Sequence, residues 1–244
     1  GPYDGNLSRI KEMNLTNRIY KKELLDSDNI PFADVKKNMQ ELGFINTWLG
    51  GHKINTKGLK ELITDKKEIT VCEIGCGGGD NLAAITKALH KNVSIKSIGI
   101  DIKPECIDYA SQNRVNDYAA EWITSDYDKV SFTTKPDIIF SSLFCHHFTE
   151  TELLAQLHWM RENSRIGFFI NDLHRHPLAY YSIKLLTSIF SRSYLVKNDA
   201  PLSVARGFKK NEWKTIFANA GLTGYKIQWK WAFRYLILWK HECT

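Results

Sequence analysis

Apolar positions along the chain follow two periods, and the change from one to the other falls near residue 69. Before it, the spacing is helical. Ile10, Met13, Leu15, Ile19, Leu24 and Leu25 recur at loosely helical intervals in a charged stretch, Leu7–Leu25. Pro31 can open a helix over Phe32–Leu49, where Val35, Met39, Leu42, Ile45, Trp48 and Leu49 step by three and four and make one apolar face. Gly50-Gly51 is a fitting stop, and a short helix is expected over Thr56–Ile63. Residues 1–68 therefore read as a helical cap. Residues 69–244 read as a second unit with different periodicity.

In that unit, short β-branched runs alternate with amphipathic stretches. Strands are expected over Ile69–Ile74, Val93–Ile100, Ala120–Ile123, Asp137–Ser141 and Arg165–Ile170. Helices are expected over Asn81–Leu89, Pro104–Asn113 and about Thr149–Asn163. Such alternation predicts a parallel sheet with helices on both faces. After the fifth strand comes an insertion at about 177–207, comprising an apolar helix (Leu178–Phe190) and a polar loop (Lys197–Gly207). A helix over Asn211–Ala220 follows. Gly224–Trp229 and Arg234–Trp239 are too close for a helical crossover and should pair as an antiparallel hairpin. The fold class is α/β, with a seven-stranded, mostly parallel sheet.

Composition narrows this little. At 244 residues, 43% hydrophobic and 25% charged, the chain is an ordinary folded protein. Gly1-Pro2 resembles a protease scar and is set aside. No run reaches the ~18–20 apolar residues of a membrane span, and no signal peptide opens the chain, so the expected location is the cytoplasm. Cys72, Cys76, Cys106, Cys145 and Cys243 form no CxxC pair, which argues for reduced thiols and against structural zinc. No His/Asp/Glu group has metal-ligand spacing, so no metal is expected. The net charge of +6 is scattered, without the basic–aromatic stripe of a nucleic-acid groove.

The chemistry concentrates at Val71-Cys-Glu-Ile-Gly-Cys-Gly-Gly-Gly-Asp80. Glycines between a strand and a helix let a ligand lie against the backbone, and the helix offers free N–H groups. The dinucleotide spacing GxGxxG would need glycine where Asp80 stands. Asp101, ending the second strand, is placed to accept both hydroxyls of a ribose. Ile102 can cover an adenine face. Asp126, ending the third strand with Tyr127 beside it, can accept from the adenine amino group.

The pattern E-x-G-x-G-x-G, Glu73 to Gly79, resembles motif I of the class I S-adenosylmethionine (SAM) methyltransferases, and the likeness runs from Val71 to the end. That resemblance implies the Rossmann-like fold of those enzymes, SAM as methyl donor and S-adenosylhomocysteine (SAH) as product. It implies cofactor contacts from Glu73, Gly75, Cys76, Gly77, Asp80, Ser142 and Leu143. The strings Asn46-Thr-Trp-Leu-Gly-Gly-His52, Ser142-Leu-Phe-Cys-His-His-Phe148, Asn171-Asp-Leu173 and Pro201-Leu-Ser-Val-Ala-Arg206 are similar to a bacterial small-molecule methyltransferase group, some encoded beside type III polyketide synthases. A small acceptor, no nucleic acid and no stable membrane insertion are implied; a homodimer is left open.

Methyl transfer needs alignment and, for a hydroxyl or activated carbon, a base. His146 and His147 are the candidate bases. His52, Asn171, Asp172, His174, Arg175, Tyr180 and Arg206 are candidate acceptor contacts, with His176 and Ser203 nearby. Leu178–Phe190 is more apolar than a surface helix: a core helix, a pocket wall for a lipophilic acceptor and a membrane-surface element all fit it. On the pocket-wall reading, shortening Tyr180 or Leu185 should alter acceptor choice. O-methylation of a phenolic or polyketide-derived hydroxyl is the first reading and ring C-methylation its rival. An NAD-dependent oxidoreductase and a silent SAM-binding protein are the readings from other classes.

Overall fold

The computed structural model describes residues 14–27, 30–63, 66–112 and 120–242. Expectations for Gly1-Pro2, Ile10, Met13, Asn113 and Cys243 lie outside these residues. Seven strands form one sheet: β1 (Glu68–Ile74), β2 (Ser94–Asp101), β3 (Ala120–Thr124), β4 (Ile138–Ser142), β5 (Gly167–Leu173), β6 (Lys226–Lys230) and β7 (Arg234–Lys240). Their order is β3-β2-β1-β4-β5-β7-β6. The first five are mutually parallel, and β7 runs antiparallel to both β5 and β6. The expected mostly parallel sheet with a terminal hairpin is present.

Among the described residues, eight α-helices surround it: α1 (Phe32–Trp48), α2 (Gly51–Leu62), α3 (Asp80–Leu89), α4 (Pro104–Gln112), α5 (Glu150–Asn163), α6 (Pro177–Phe190), α7 (Tyr194–Arg206) and α8 (Lys210–Asn219). The two-residue period of each strand sends alternate side chains to opposite faces. Val71, Phe169, Leu236 and Leu238 meet Ile54, Leu59 and Leu62 of α2 and Leu82, Ile85 and Leu89 of α3. Cys72, Ile74, Ile139, Phe168, Ile170 and Ile237 meet Leu153, Leu157 and Met160 of α5 and Trp213 and Phe217 of α8. At roughly 1.5–3 kcal/mol per fully buried large apolar side chain, these two layers hold the sheet rigid under the loops at its edge.

Three expectations change. Thr56–Ile63 is the latter part of a longer helix, α2, which packs on β4, β5 and β7. The last helix of the expected cap is therefore built into the sheet sandwich. Residues 14–23 carry no helix and bend at Thr16-Asn17, with a 3-10 turn following at Leu24–Asp26; their apolar residues serve an edge contact, Leu15 packing with Ala179, Tyr180 and Val204. The expected polar loop Lys197–Gly207 is helix α7 through Arg206. Ser193 caps its start, accepting from Val196 N–H, and Leu195, Val196, Leu202 and Ala205 bury its inner face. Pro201 costs the helix one hydrogen bond, which that burial outweighs.

Candidate functional site

The loops at the carboxyl ends of β1 to β5 open on one cavity of about 970 Å³. It lies where strand order reverses between β1 and β4, the usual ligand crevice of open α/β sheets. Gly75, Cys76, Gly77, Asp80, Asp101, Ile102, Asp126, Tyr127, Ser142, Leu143, His146 and His147 all line it. These residues come from four successive strand ends and meet only because the parallel register brings those ends level.

The glycine loop has two different reasons for its glycines. A Cβ on Gly75 would stand 2.3 Å from the Phe144 ring, so that glycine makes room for a protein side chain. A Cβ on Gly77 would meet nothing within 4 Å, and Gly77 has φ +50°. Gly77 is the bare backbone that a ligand can approach. Asp101 accepts from Gly77 N–H at 2.9 Å and from Lys103 N–H at 2.9 Å. Burial raises its pKa despite these bonds. Each carboxylate oxygen has a further lone pair for a ligand hydroxyl. Ile102, 65% exposed, stands beside it in the cavity wall.

Glu73 is completely buried behind the loop and does not line the cavity. Burial, then Asp80 and Asp101, raise its pKa well above the usual carboxylate range. Its Oε1 accepts from Asn81 Nδ2 at 2.7 Å, and its Oε2 has no partner. Asn81 Oδ1 in turn accepts from Asn46 of α1 and Asn55 of α2. Asn55 Oδ1 accepts from Asn171, and Arg234 donates to Asn46 Oδ1. This amide ladder ties the cap helices to the glycine loop.

Several expected acceptor contacts stand back from the cavity. Asn171 and Asp172 are fully buried; Asn171 serves the ladder and Asp172 holds His146. His52 bonds Asp80 at 2.7 Å from the start of α2. Tyr180 is buried against the irregular strap formed by residues 14–23. Arg175 pairs with Glu212 and donates to the Leu15 and Thr16 carbonyls. Arg175, His174 and His176 border a separate recess with Lys209. Burial, then His176 and Arg175, lower the His174 pKa. Arg206 donates to the His146, His147 and Lys21 carbonyls, clamping the strap. Ser203 does line the cavity. The polar cluster after β5 is thus largely internal scaffolding.

In their place the strap delivers Glu23 and Asp26, which line the cavity beside both histidines. His146 is buried, with Nδ1 2.8 Å from Asp172 Oδ1 and Nε2 3.6 Å from Glu23 Oε1. Burial alone would lower its pKa; the two carboxylates outweigh that and raise it to about 9. Burial would raise Glu23, but His146 holds it below the usual range. His147 is more open, with Nε2 3.8 Å from Glu23 Oε2 and Nδ1 3.4 Å from Asp26 Oδ1. Glu23, Asp26, Asn46, Asn81, Phe144 and Arg234 were not legible as wall residues. The wall also includes Leu42, Ile45, Ile183, Leu186, Trp231 and Phe233 from α1, α6 and the β6–β7 hairpin. Among the described residues, all four cysteines are free and buried, and no helix is long and apolar enough to cross a membrane.

Comparison with known proteins meets this geometry at the same strands. Residues 71–167 match the family model described as a methyltransferase domain. The plantazolicin methyltransferase BpumL, solved in complex with SAH, is 18% identical, with TM-score 0.65 over 89% of this chain and 91% of that one. A SAM-dependent methyltransferase from Aquifex aeolicus is 18% identical, with TM-score 0.54 over 86% and 98%. No curated protein matches in sequence. The chain has the Rossmann-like fold of these methyltransferases.

Proposed function

We propose that this protein is a SAM-dependent methyltransferase acting on a hydroxyl of a small, largely apolar acceptor, such as an aromatic or polyketide-derived ring. One observation carries the reading. A single cavity has the open Gly77 backbone, Asp101 and Asp126 on one side and an apolar wall from α1, α6 and the hairpin on the other. Glu23 and the two histidines stand in that same cavity wall. Its volume is at the upper end for small-molecule sites (~300–1,000 Å³), room for donor and acceptor together.

Bound SAM supplies an electrophilic methyl group on a good leaving thioether. The protein's work is alignment and proton removal. Asp101 takes the ribose hydroxyls, Ile102 covers the adenine, and Asp126 accepts from its amino group. The apolar wall holds the acceptor and excludes water. His146 lies between two carboxylates and is protonated near neutrality, so it positions rather than accepts. His147 faces the cavity and takes the acceptor proton. Ring C-methylation uses the same site and is separated by product analysis.

The test is calorimetry with SAM, SAH and NAD, followed by mass spectrometry of a phenol and polyketide panel. SAM and SAH should bind, NAD should not, and a product one methyl heavier should form. His147→Ala should lower kcat by about 10²–10⁴ while SAM affinity stays within a few-fold. Absence of SAM binding at millimolar concentration defeats the reading.

A further inference from the structure

The His146–His147 corner contains an arrangement that proton transfer does not require. Both imidazoles turn Nε2 toward one carboxylate, Glu23, at 3.6 and 3.8 Å. These separations are long for hydrogen bonds. They suit atoms that share an ion: ligands ~2.1 Å from a common metal, at tetrahedral to trigonal angles, lie roughly 3.4–3.7 Å apart. One ligand atom from each of Glu23, His146 and His147 falls within 4.8 Å of the others.

Each ligand is also braced on its far side. Asp172 Oδ1 takes His146 Nδ1 at 2.8 Å, and Asp26 Oδ1 stands 3.4 Å from His147 Nδ1. Ser203 donates to Glu23 Oε1 at 2.7 Å. Carboxylates behind both histidines fix the ring orientation that a metal needs. The Nδ1–H donated to Asp172 turns Nε2 of His146 toward Glu23, and a metal ion bound there would take the place of the Nε2 proton. Arg206 stands 3.9 Å from Glu23 Oε1.

We propose that Glu23, His146 and His147 bind a divalent transition-metal ion of the zinc class, the class that two imidazoles and one carboxylate favour. All three line the cavity, so the remaining coordination positions open toward it. Water or an acceptor oxygen would complete the shell. Only that last consequence rests on the methyltransferase reading; in the loaded protein the ion, rather than His147, meets the acceptor oxygen.

The experiment uses chelator-stripped full-length protein without SAM or acceptor. Zn²⁺ is titrated by calorimetry, and Co²⁺ is added as an optical probe of coordination. One ion per chain and visible Co²⁺ absorption bands are expected. Glu23→Gln and His147→Ala should each weaken binding at least about tenfold, and Asp172→Asn about 10–100-fold. His90→Ala, on the exposed end of α3, should bind as the parent does. Melting curves confirm that each variant is folded. The proposal falls if the folded parent binds no stoichiometric ion at micromolar Zn²⁺, or if Glu23→Gln and His147→Ala bind as tightly as the parent. Methyl transfer, measured separately with and without chelator, stands or falls on its own.

Discussion

At the scale of single residues, position along a strand decides what a carboxylate does. Asp101 and Asp137 sit at opposite ends of β2 and β4, the two parallel strands that flank β1. Asp101, at the carboxyl end of β2, lines the cavity with both oxygens on backbone N–H groups. Asp101→Asn keeps the shape but replaces one acceptor oxygen by a donor. SAM affinity by calorimetry should fall at least about tenfold, the scale of losing one charge-assisted bond. Asp137, just before β4, accepts from Lys66 Nζ at 2.8 Å and Thr70 N–H at 2.9 Å, far from the chemistry. Its burial opposes ionisation, but Lys66 and the backbone bond outweigh that and lower its pKa. A lowered folded-state pKa gives stability that is complete above the unfolded value (~3.9) and lost as pH falls through the folded value. Denaturant unfolding from about pH 6 to pH 3 should therefore show a steeper acid loss in the parent than in Asp137→Asn.

At the scale of elements, α6 and the strap show how a face is assigned. The apolar character of α6 left core, pocket wall and membrane surface open. The structure divides the helix. Ala179, Ser182, Ile183 and Leu186 line the cavity, Tyr180 packs under the strap, and Leu185 and Ile189 are more than 60% exposed. The expected specificity positions move accordingly, from Tyr180 and Leu185 to Ile183 and Leu186, one helical turn apart on the same stripe. Ile183→Ala should change acceptor KM or preference several-fold across a panel while leaving SAM affinity unaltered. Equal loss of both would remove α6 from the acceptor wall. The strap carries no apolar period strong enough to define a helix, because its partners are mostly polar: Arg18, Arg175 and Arg206 hold its path through backbone carbonyls.

At the scale of the whole molecule, closure of the cavity depends on contacts between the strap and α7, which lie far apart in sequence. Asp199 of α7 accepts from Leu24 and Leu25 N–H, and buried Arg206 binds the Lys21 carbonyl and Asp26. Removing that guanidinium takes the buried donor from the Lys21, His146 and His147 carbonyls and the cation from Asp26. Arg206→Ala should cost about 3–5 kcal/mol in urea unfolding, and limited proteolysis should cut residues 14–27 faster than in the parent. A loss below ~1 kcal/mol would mean the strap is held elsewhere.

What the chain determined by itself is the sheet, its hairpin and the cavity edge near the glycine loop. Those features rest on local signals: two-residue periodicity, glycines at a strand end, and an acidic residue ending each of two strands. Tertiary structure decided the rest. Asn171 and Asp172 read as ligand contacts because they are polar at a strand end, yet they are buried where the cap meets the sheet. Arg175, expected to reach the acceptor, instead clamps the strap. Glu23 and Asp26 carry no local pattern at all; they join His146 and His147 only when the first residues fold back over the sheet. A metal ligand set spread this way has no chain spacing to detect. The physical reason is range. Periodicity and turn chemistry act over a few residues, whereas the acceptor wall and the Glu23–His146–His147 corner are made by segments that touch only after the core has packed.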